Sequence, residues 1–205
     1  MAFFQSKKWI AVYMVSLILS LWGCQSPQQT QDVAIIPQPL SMEKGSGTFS
    51  FSKETTIAVG NEEQRIIAEN FASLFTLPAG FTPQVKTGQE GDIVFLTDNT
   101  MKSDAYELTV LPERITIKAA DVKGFFYALQ NLRLMLPPTI EGKEKTTDTW
   151  SIPSLTIKDA PRFNYRGFML DVSRFFLPKE DLLRMIDCIA MLKINRLHLH
   201  LTDDN

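Results

Sequence analysis

PRFNYRGFMLDVSRFFLPKEDLLRMIDCIAMLKINRLHLHLTDDN, residues 161–205, decides how the whole chain is read. Tyr165 to Val172 is a nearly continuous apolar run holding Phe168, Met169, Leu170 and Val172. Such a run suits a strand buried on both faces, as in a parallel sheet. Pro178 fits the first turn of a helix, and Glu180 and Asp181 suit its positive N-terminal end. Leu182, Leu183, Ile186, Ile189, Ala190 and Leu192 supply a buried stripe, with Lys193 at the negative end. Asn195 to Leu201 returns to strand. Strand, helix and strand in this order predict a βαβ unit, right-handed by default. A complete (β/α)8 TIM barrel takes about 250 residues. Residues 161–205 are therefore expected to be the first βαβ unit of a truncated barrel, with apolar surface exposed unless more chain follows.

Upstream, residues 34–158 carry short, mixed elements. Thr56–Val59 is strand-like and ends at Gly60-Asn61. Ile66, Ile67, Phe71, Leu74 and Phe75 recur at a helical period, terminated by Pro78 and Gly80. Ile93–Leu96 predicts a buried strand. Alternation at Tyr106, Leu108, Val110 and then Ile115, Ile117 predicts a hairpin around Pro112-Glu113. Asp121 suits a helix cap before Phe125, Phe126, Leu129, Leu132 and Leu136, with Pro137-Pro138 as the stop. The aromatic cluster Phe125-Phe126-Tyr127 is expected to pack that helix on its sheet. Residues 141–149 read as a loop, and Ile152–Ile157 as extended chain. These alternating helix and antiparallel-strand signals predict a small α+β layer domain, with a boundary at Asp159-Ala160-Pro161-Arg162.

The N-terminus has a different character. Lys7 and Lys8 precede an apolar run from Trp9 to Trp22, which is the pattern of an export signal over residues 1–23. The run is short against the roughly 20 apolar residues of a membrane span. Gly23 before Cys24 resembles a bacterial lipoprotein cleavage site. That resemblance implies lipidation of Cys24 and residence at the bacterial cell envelope, on a membrane facing either the periplasm or the outside. Plain secretion and an uncleaved anchor are the alternatives. Residues 24–33 then form a polar tether.

Cys24 and Cys188 are the two cysteines, so a lipidated Cys24 leaves no disulfide framework. Cys188 is expected to be a small buried hydrophobe. A formal charge of −2 provides no basic field for nucleic acid. The 44% hydrophobic and 21% charged composition is that of a folded protein and excludes disorder along the whole chain.

Chemistry is expected where the two strands of residues 161–205 end. Polar residues at the C-terminal ends of barrel strands face the active site. Asp171, Ser173 and Arg174 follow the first strand, and Thr202, Asp203 and Asp204 the second, so both groups point to one rim. His198 and His200, two apart on one strand, share a side. His-x-His ending a barrel strand is a zinc-ligand pattern. Arg166, early in the first strand, is expected in an internal salt bridge.

YRGFMLDVSRFF followed by INRLHLHLTDD resembles the start of the catalytic domain of glycoside hydrolase family 20, the β-N-acetylhexosaminidases. IIPQPLSMEKGSGTFSF and DVKGFFYALQNLRLML are similar to that family's non-catalytic α+β domain. Phe175 departs from the His that many members carry after the arginine. The resemblance implies substrate-assisted retaining hydrolysis of terminal N-acetylglucosamine or N-acetylgalactosamine, outside the usual two-carboxylate scheme. It implies no metal or organic cofactor, and packed, hydrogen-bonded roles for His198 and His200 instead. It implies that Arg174 and Asp203 bind substrate, Arg174 gripping sugar hydroxyls through its planar set of donors. An ion pair with Asp171 is the structural alternative for Arg174, and a solvated loop acid for Asp203. Asp171 and Asp204 suit architectural roles. The family's catalytic Asp-Glu pair follows Gly-Gly, and no Gly-Gly-Asp-Glu run occurs here, so the chain is expected to be inactive alone. The competing reading is a truncated, non-enzymatic glycan-binding or interaction lipoprotein.

Overall fold

The computed structural model describes residues 33–202. The expectations on residues 1–32, Cys24 among them, and on Asp203 and Asp204 lie outside the described residues.

The first layer is a seven-stranded sheet in the order β1-β7-β5-β6-β4-β2-β3. Its strands are β1 (Ser41–Ser50), β2 (Thr56–Val59), β3 (Gln84–Thr87), β4 (Ile93–Thr97), β5 (Tyr106–Leu111), β6 (Arg114–Ala119) and β7 (Ser151–Asp159). Helices α1 (Glu62–Ser73) and α2 (Val122–Met135) pack on the sheet and on each other. The predicted hairpin is β5–β6, paired antiparallel from Tyr106↔Ala119 to Leu111↔Arg114. The sheet is not wholly antiparallel, however. β3, β2, β4 and β6 run parallel, because α1 carries the chain over the sheet between β2 and β3. β1 and β3 escaped the sequence reading because both are edge strands with mostly exposed residues and no apolar alternation.

Local chemistry starts both helices. Asn61 accepts a hydrogen bond from the Gln64 amide at 2.9 Å, while the Gln64 side chain accepts from Gly60 N–H at 2.7 Å. Two amide donors at the start of α1 are thereby satisfied, in an arrangement like a capping box but reaching one residue further back, to Gly60. Asp121 caps α2 by accepting from Gly124 N–H at 3.1 Å. Gly124 is required there by contact rather than by turn geometry. A Cβ at that position would lie 2.4 Å from the Ala105 carbonyl oxygen and 2.7 Å from the Ala119 Cβ. The helix start therefore presses on the 102–105 loop.

The core lies between the sheet and the two helices. Ile57, Ile93, Leu108, Ile115, Ile117, Phe125, Leu132, Ile152 and Ile157 are fully buried there. Phe95 and Phe125 stack with centroids 4.8 Å apart, so the aromatic cluster packs α2 on the sheet as expected.

The second layer is β8 (Gly167–Asp171), α3 (Lys179–Met191) and β9 (Arg196–His200). β8 and β9 pair in parallel from Gly167↔Arg196 to Asp171↔His200, so the predicted βαβ unit is present. β8 is not buried on both faces as its apolar run predicts; it has one hydrogen-bonded neighbour and Met169 is exposed. Leu183 is exposed too, and so is Cys188. On a 3.6-residue turn Leu183 lies about 120° and Cys188 about 100° from Ile189. Ile189 marks the buried line of α3, so both fall outside the stripe that meets the sheet.

Candidate functional site

The C-terminal ends of β8 and β9 form one rim, because the parallel register places Asp171 opposite His200. Asp171 organises it. Its Oδ1 accepts from the amides of Ser173 at 3.0 Å and Arg174 at 3.1 Å, which folds the chain back sharply after the strand. Its Oδ2 accepts from Arg174 Nε–H and lies 3.2 Å from His200 Nδ1. The Arg174 amide, followed by the Arg174 and His200 side chains, outweighs partial desolvation and holds the Asp171 carboxyl well below the usual carboxylate range. Asp171 is thus the architectural acid of the rim. Arg174 makes the ion pair raised as its structural alternative, yet its side chain stays 70% exposed. The pair uses Nε–H, one of five guanidinium donors.

The two histidines differ. His200 is half-buried against Asp171, but His198 is exposed rather than packed. Side chains two apart share a face, and the face that β9 turns outward at His198 is uncovered. Among the described residues no group of three or more His, Cys, Asp or Glu side chains is placed to hold a metal ion.

At the opposite ends of the same strands lies a polar junction with the seven-stranded sheet. Arg166 donates to Asp104 at 3.5 Å, to the Tyr127 hydroxyl at 2.6 Å and to the carbonyls of Phe163 and Lys193. The expected internal salt bridge of Arg166 is therefore present, and it joins the βαβ unit to the α+β domain. Lys193, expected merely to end a helix, is buried. Its Nζ donates to the Tyr106 hydroxyl at 3.0 Å and to Asp159 at 3.3 Å. Tyr106 donates to Asp159 and accepts from Asn131 Nδ2 at 2.6 Å. Burial pushes the Tyr106 hydroxyl far up, helped by the Asp159 charge, so it stays a protonated donor. Burial pushes Lys193 down, although Asp159 opposes this.

With both ends described, the likeness to known proteins has a structural meaning. Residues 32–160 match the family described as "Glycosyl hydrolase family 20, domain 2", and residues 163–205 match "Glycosyl hydrolase family 20, catalytic domain". The chain belongs to glycoside hydrolase family 20. It is 35% identical over 202 residues to a β-hexosaminidase of Porphyromonas gingivalis, covering 93% of this chain and 26% of that protein. It is 34% identical to the N,N'-diacetylchitobiase of Vibrio harveyi, covering 85% of this chain and 19% of that one. Among solved structures it is similar to the Streptomyces plicatus N-acetyl-β-hexosaminidase in complex with Thio-NAglucal. The TM-score there is 0.76 at 34% identity, over 82% of this chain and 34% of that chain. It is also similar to the Vibrio harveyi exo-β-N-acetylglucosaminidase in complex with N-acetylglucosamine, with a TM-score of 0.71 at 30% identity, over 83% and 26% of the two chains. The chain thus spans about a quarter or less of the length of these two curated relatives.

In this family 20 chain, Arg174 projects from the segment matched to the catalytic domain, while Asp203 lies outside the described residues. Sequence reasoning missed Lys193, Asp104, Asp159 and Tyr106 as a connected group. No periodicity marks them, since their meeting depends on how two segments distant in sequence abut. The Asp171–Arg174 contact had a visible signal in the three-residue spacing.

Proposed function

We propose that this chain is part of an exported, lipid-anchored β-N-acetylhexosaminidase that removes terminal N-acetylglucosamine or N-acetylgalactosamine from glycans of or near the cell envelope. The observation that carries the reading is a family 20 segment whose strand ends hold an exposed arginine against a carboxylate kept well below its usual range. Asp171 fixes one edge of the Arg174 guanidinium, and the other donors serve the hydroxyls of the terminal sugar. The family resemblance adds Asp203 as a second substrate-binding residue in this proposal. β8, α3 and β9 are the opening unit of a (β/α)8 barrel in this reading. Hydrolysis proceeds with retention, the substrate's acetamido oxygen acting as the nucleophile.

The reading has a negative side. No Gly-Gly-Asp-Glu run occurs in the 205 residues, so they do not supply the acid pair and do not turn over substrate unaided. An aryl N-acetyl-β-glucosaminide is the test substrate. Purified chain is expected to release no aryl alcohol; robust release would sink this part. The protein isolated from its own cells is expected to cleave the substrate, and Arg174→Ala to lower kcat/KM by about 10²-fold, which is about 2.7 kcal/mol. Unchanged kinetics would remove Arg174 from the sugar site. The anchor rests on Lys7, Lys8, the apolar run and Gly23-Cys24. Cys24→Ala is expected to move the protein from the detergent phase to the aqueous phase. Equal partitioning of both forms would count against lipidation.

A further inference from the structure

The polar junction and the rim lie at opposite ends of the same two strands. β8 is five residues long, roughly 15 Å at the usual rise. Arg166 immediately precedes β8, and Lys193 precedes β9 by three residues. Asp171 and His200 are the last residues of these strands.

We propose that Arg166 and Lys193 are positioning residues. They latch the bases of β8 and β9 to Asp104, Asp159, Tyr106 and Tyr127 of the α+β domain, and so aim Asp171 and Arg174 at the strand tips. In its consequence for sugar binding the proposal rests on the reading of Arg174 given above. The α+β domain then acts as a foundation that sets the direction of the catalytic strands.

Three independent observations support this. The first is burial: within residues 161–202 only Ile189 and Lys193 are buried, so apolar packing inside the βαβ unit does little to orient it. The second is backbone conformation. Asp104 and Lys193 are the two non-glycine residues at positive φ among the described residues, at 67° and 62°. Each stands on one side of the junction. Left-handed backbone at a residue with a Cβ costs energy and persists where the surroundings demand it. Here it is needed to turn Lys193 off the end of α3 into the neighbouring domain. The third is the sign of the Lys193 shift. Burial disfavours its ammonium more than Asp159 favours it, so the pair is a poor source of stability. A buried, paired charge that stabilises little is a candidate for specifying one arrangement among several.

A cleft of about 330 Å³ opens beside the junction, lined by Leu40, Phe163 and Leu192 as well as the latch residues. Four of its five charged groups are already paired, Arg166 with Asp104 and Lys193 with Asp159, and the fifth, Arg162, lies over the Phe163 ring at 5.3 Å. Positioning matters at this scale. A pivot of about 4° at the base carries a tip roughly 15 Å away through about 1 Å, and an error of that size costs on the order of 10²-fold in rate.

The test uses the 205-residue chain and reads the rim directly, by the NMR resonances of Arg174 Nε–Hε and the His200 ring. Lys193→Met is compared with Ile57→Val, which trims the α+β core without touching a latch residue. Lys193→Met is expected to shift or broaden the rim resonances several times more than Ile57→Val at a similar loss of Tm. Unmoved rim resonances in a folded Lys193→Met chain would overturn the proposal and leave the junction a structural contact only. Should Lys193→Met not fold, Asp104→Asn is read by the same criterion. No sugar is needed for these readings. A wild-type Arg174 signal indifferent to N-acetylglucosamine would count against the sugar-binding reading alone.

Discussion

The two halves of the described chain are built to different standards of closure. The α+β domain has seven strands and two helices, and most of its buried apolar residues meet in one core, although Ile36, Leu40, Ile66, Leu77 and Leu111 stay exposed. The βαβ unit has two strands and one helix, and it leaves Phe163, Tyr165, Met169, Phe175, Phe176, Leu183 and Leu201 exposed. A sheet needs cover on each apolar face, and one helix covers one face of two strands. The lesson is that attachment in the second half depends on polar chemistry. Arg166 and Lys193 connect it to a neighbour that is already complete.

That contrast can be broken by mutation, beginning where it is sharpest. Phe75 is fully buried and touches Phe51, Phe71, Phe81 and Trp150. Phe75→Ala is expected to cost about 3–5 kcal/mol in denaturant unfolding of the α+β domain. A loss below about 1 kcal/mol would mean that this core is not the stable half. Lys193→Met is expected to cost less, about 1–2 kcal/mol, because relief of ammonium burial offsets the lost hydrogen bonds. Hydrogen exchange should show that loss concentrated in β8, α3 and β9. Uniform acceleration through β5 and β6 would contradict it.

Leu183 is 49% exposed on α3, and Leu183→Ala is expected to change stability by no more than about 0.5 kcal/mol. A large loss in a thermal melt would show that something in the chain covers this face in solution. The smallest global effect belongs to the rim, and it depends on pH. The folded pKa of Asp171 is depressed, so its contribution is fully present above the unfolded value of about 4. It is lost as pH falls from there through the folded value. Asp171→Asn should therefore flatten the acid limb of the stability curve below about pH 4 and free the Arg174 side chain. An unchanged acid limb would show that the rim carboxylate is not held as the geometry describes.

Much of the α+β domain was legible in the residues. Asp121 announced the start of α2, and alternation at Tyr106, Leu108 and Val110 announced the hairpin. These signals are local, since a cap or a period of two is complete within a few residues. The edge strands β1 and β3 were not legible, because an edge needs only backbone partners and leaves no apolar pattern. The parallel pairing was also hidden, since it joins residues from distant segments such as Ile57 and Ile93.

The candidate site divides in the same way. Arg174 and its carboxylate neighbour could be named from the spacing and from the family resemblance. That Asp171 holds Arg174 while touching His200 required the register of β8 against β9. Lys193 was misread for a stronger reason. In sequence it is a cation at a helix end, which ordinarily means a solvated charge near the negative terminus. Its left-handed backbone and burial exist only because Asp159 and Tyr106, which lie 34 and 87 residues away in sequence, arrive at the same place.

The residues alone determined the order of the helices and inner strands, the α+β character of the first domain, the βαβ character of the second and the family to which both point. Those properties follow from periodicity, caps and motifs that a chain carries along its length. The tertiary structure alone decided the mixed direction of the sheet, the exposed face of α3 and the charged junction that ties two unequal halves together. Such features arise from contacts between segments that carry no mark of each other in the sequence.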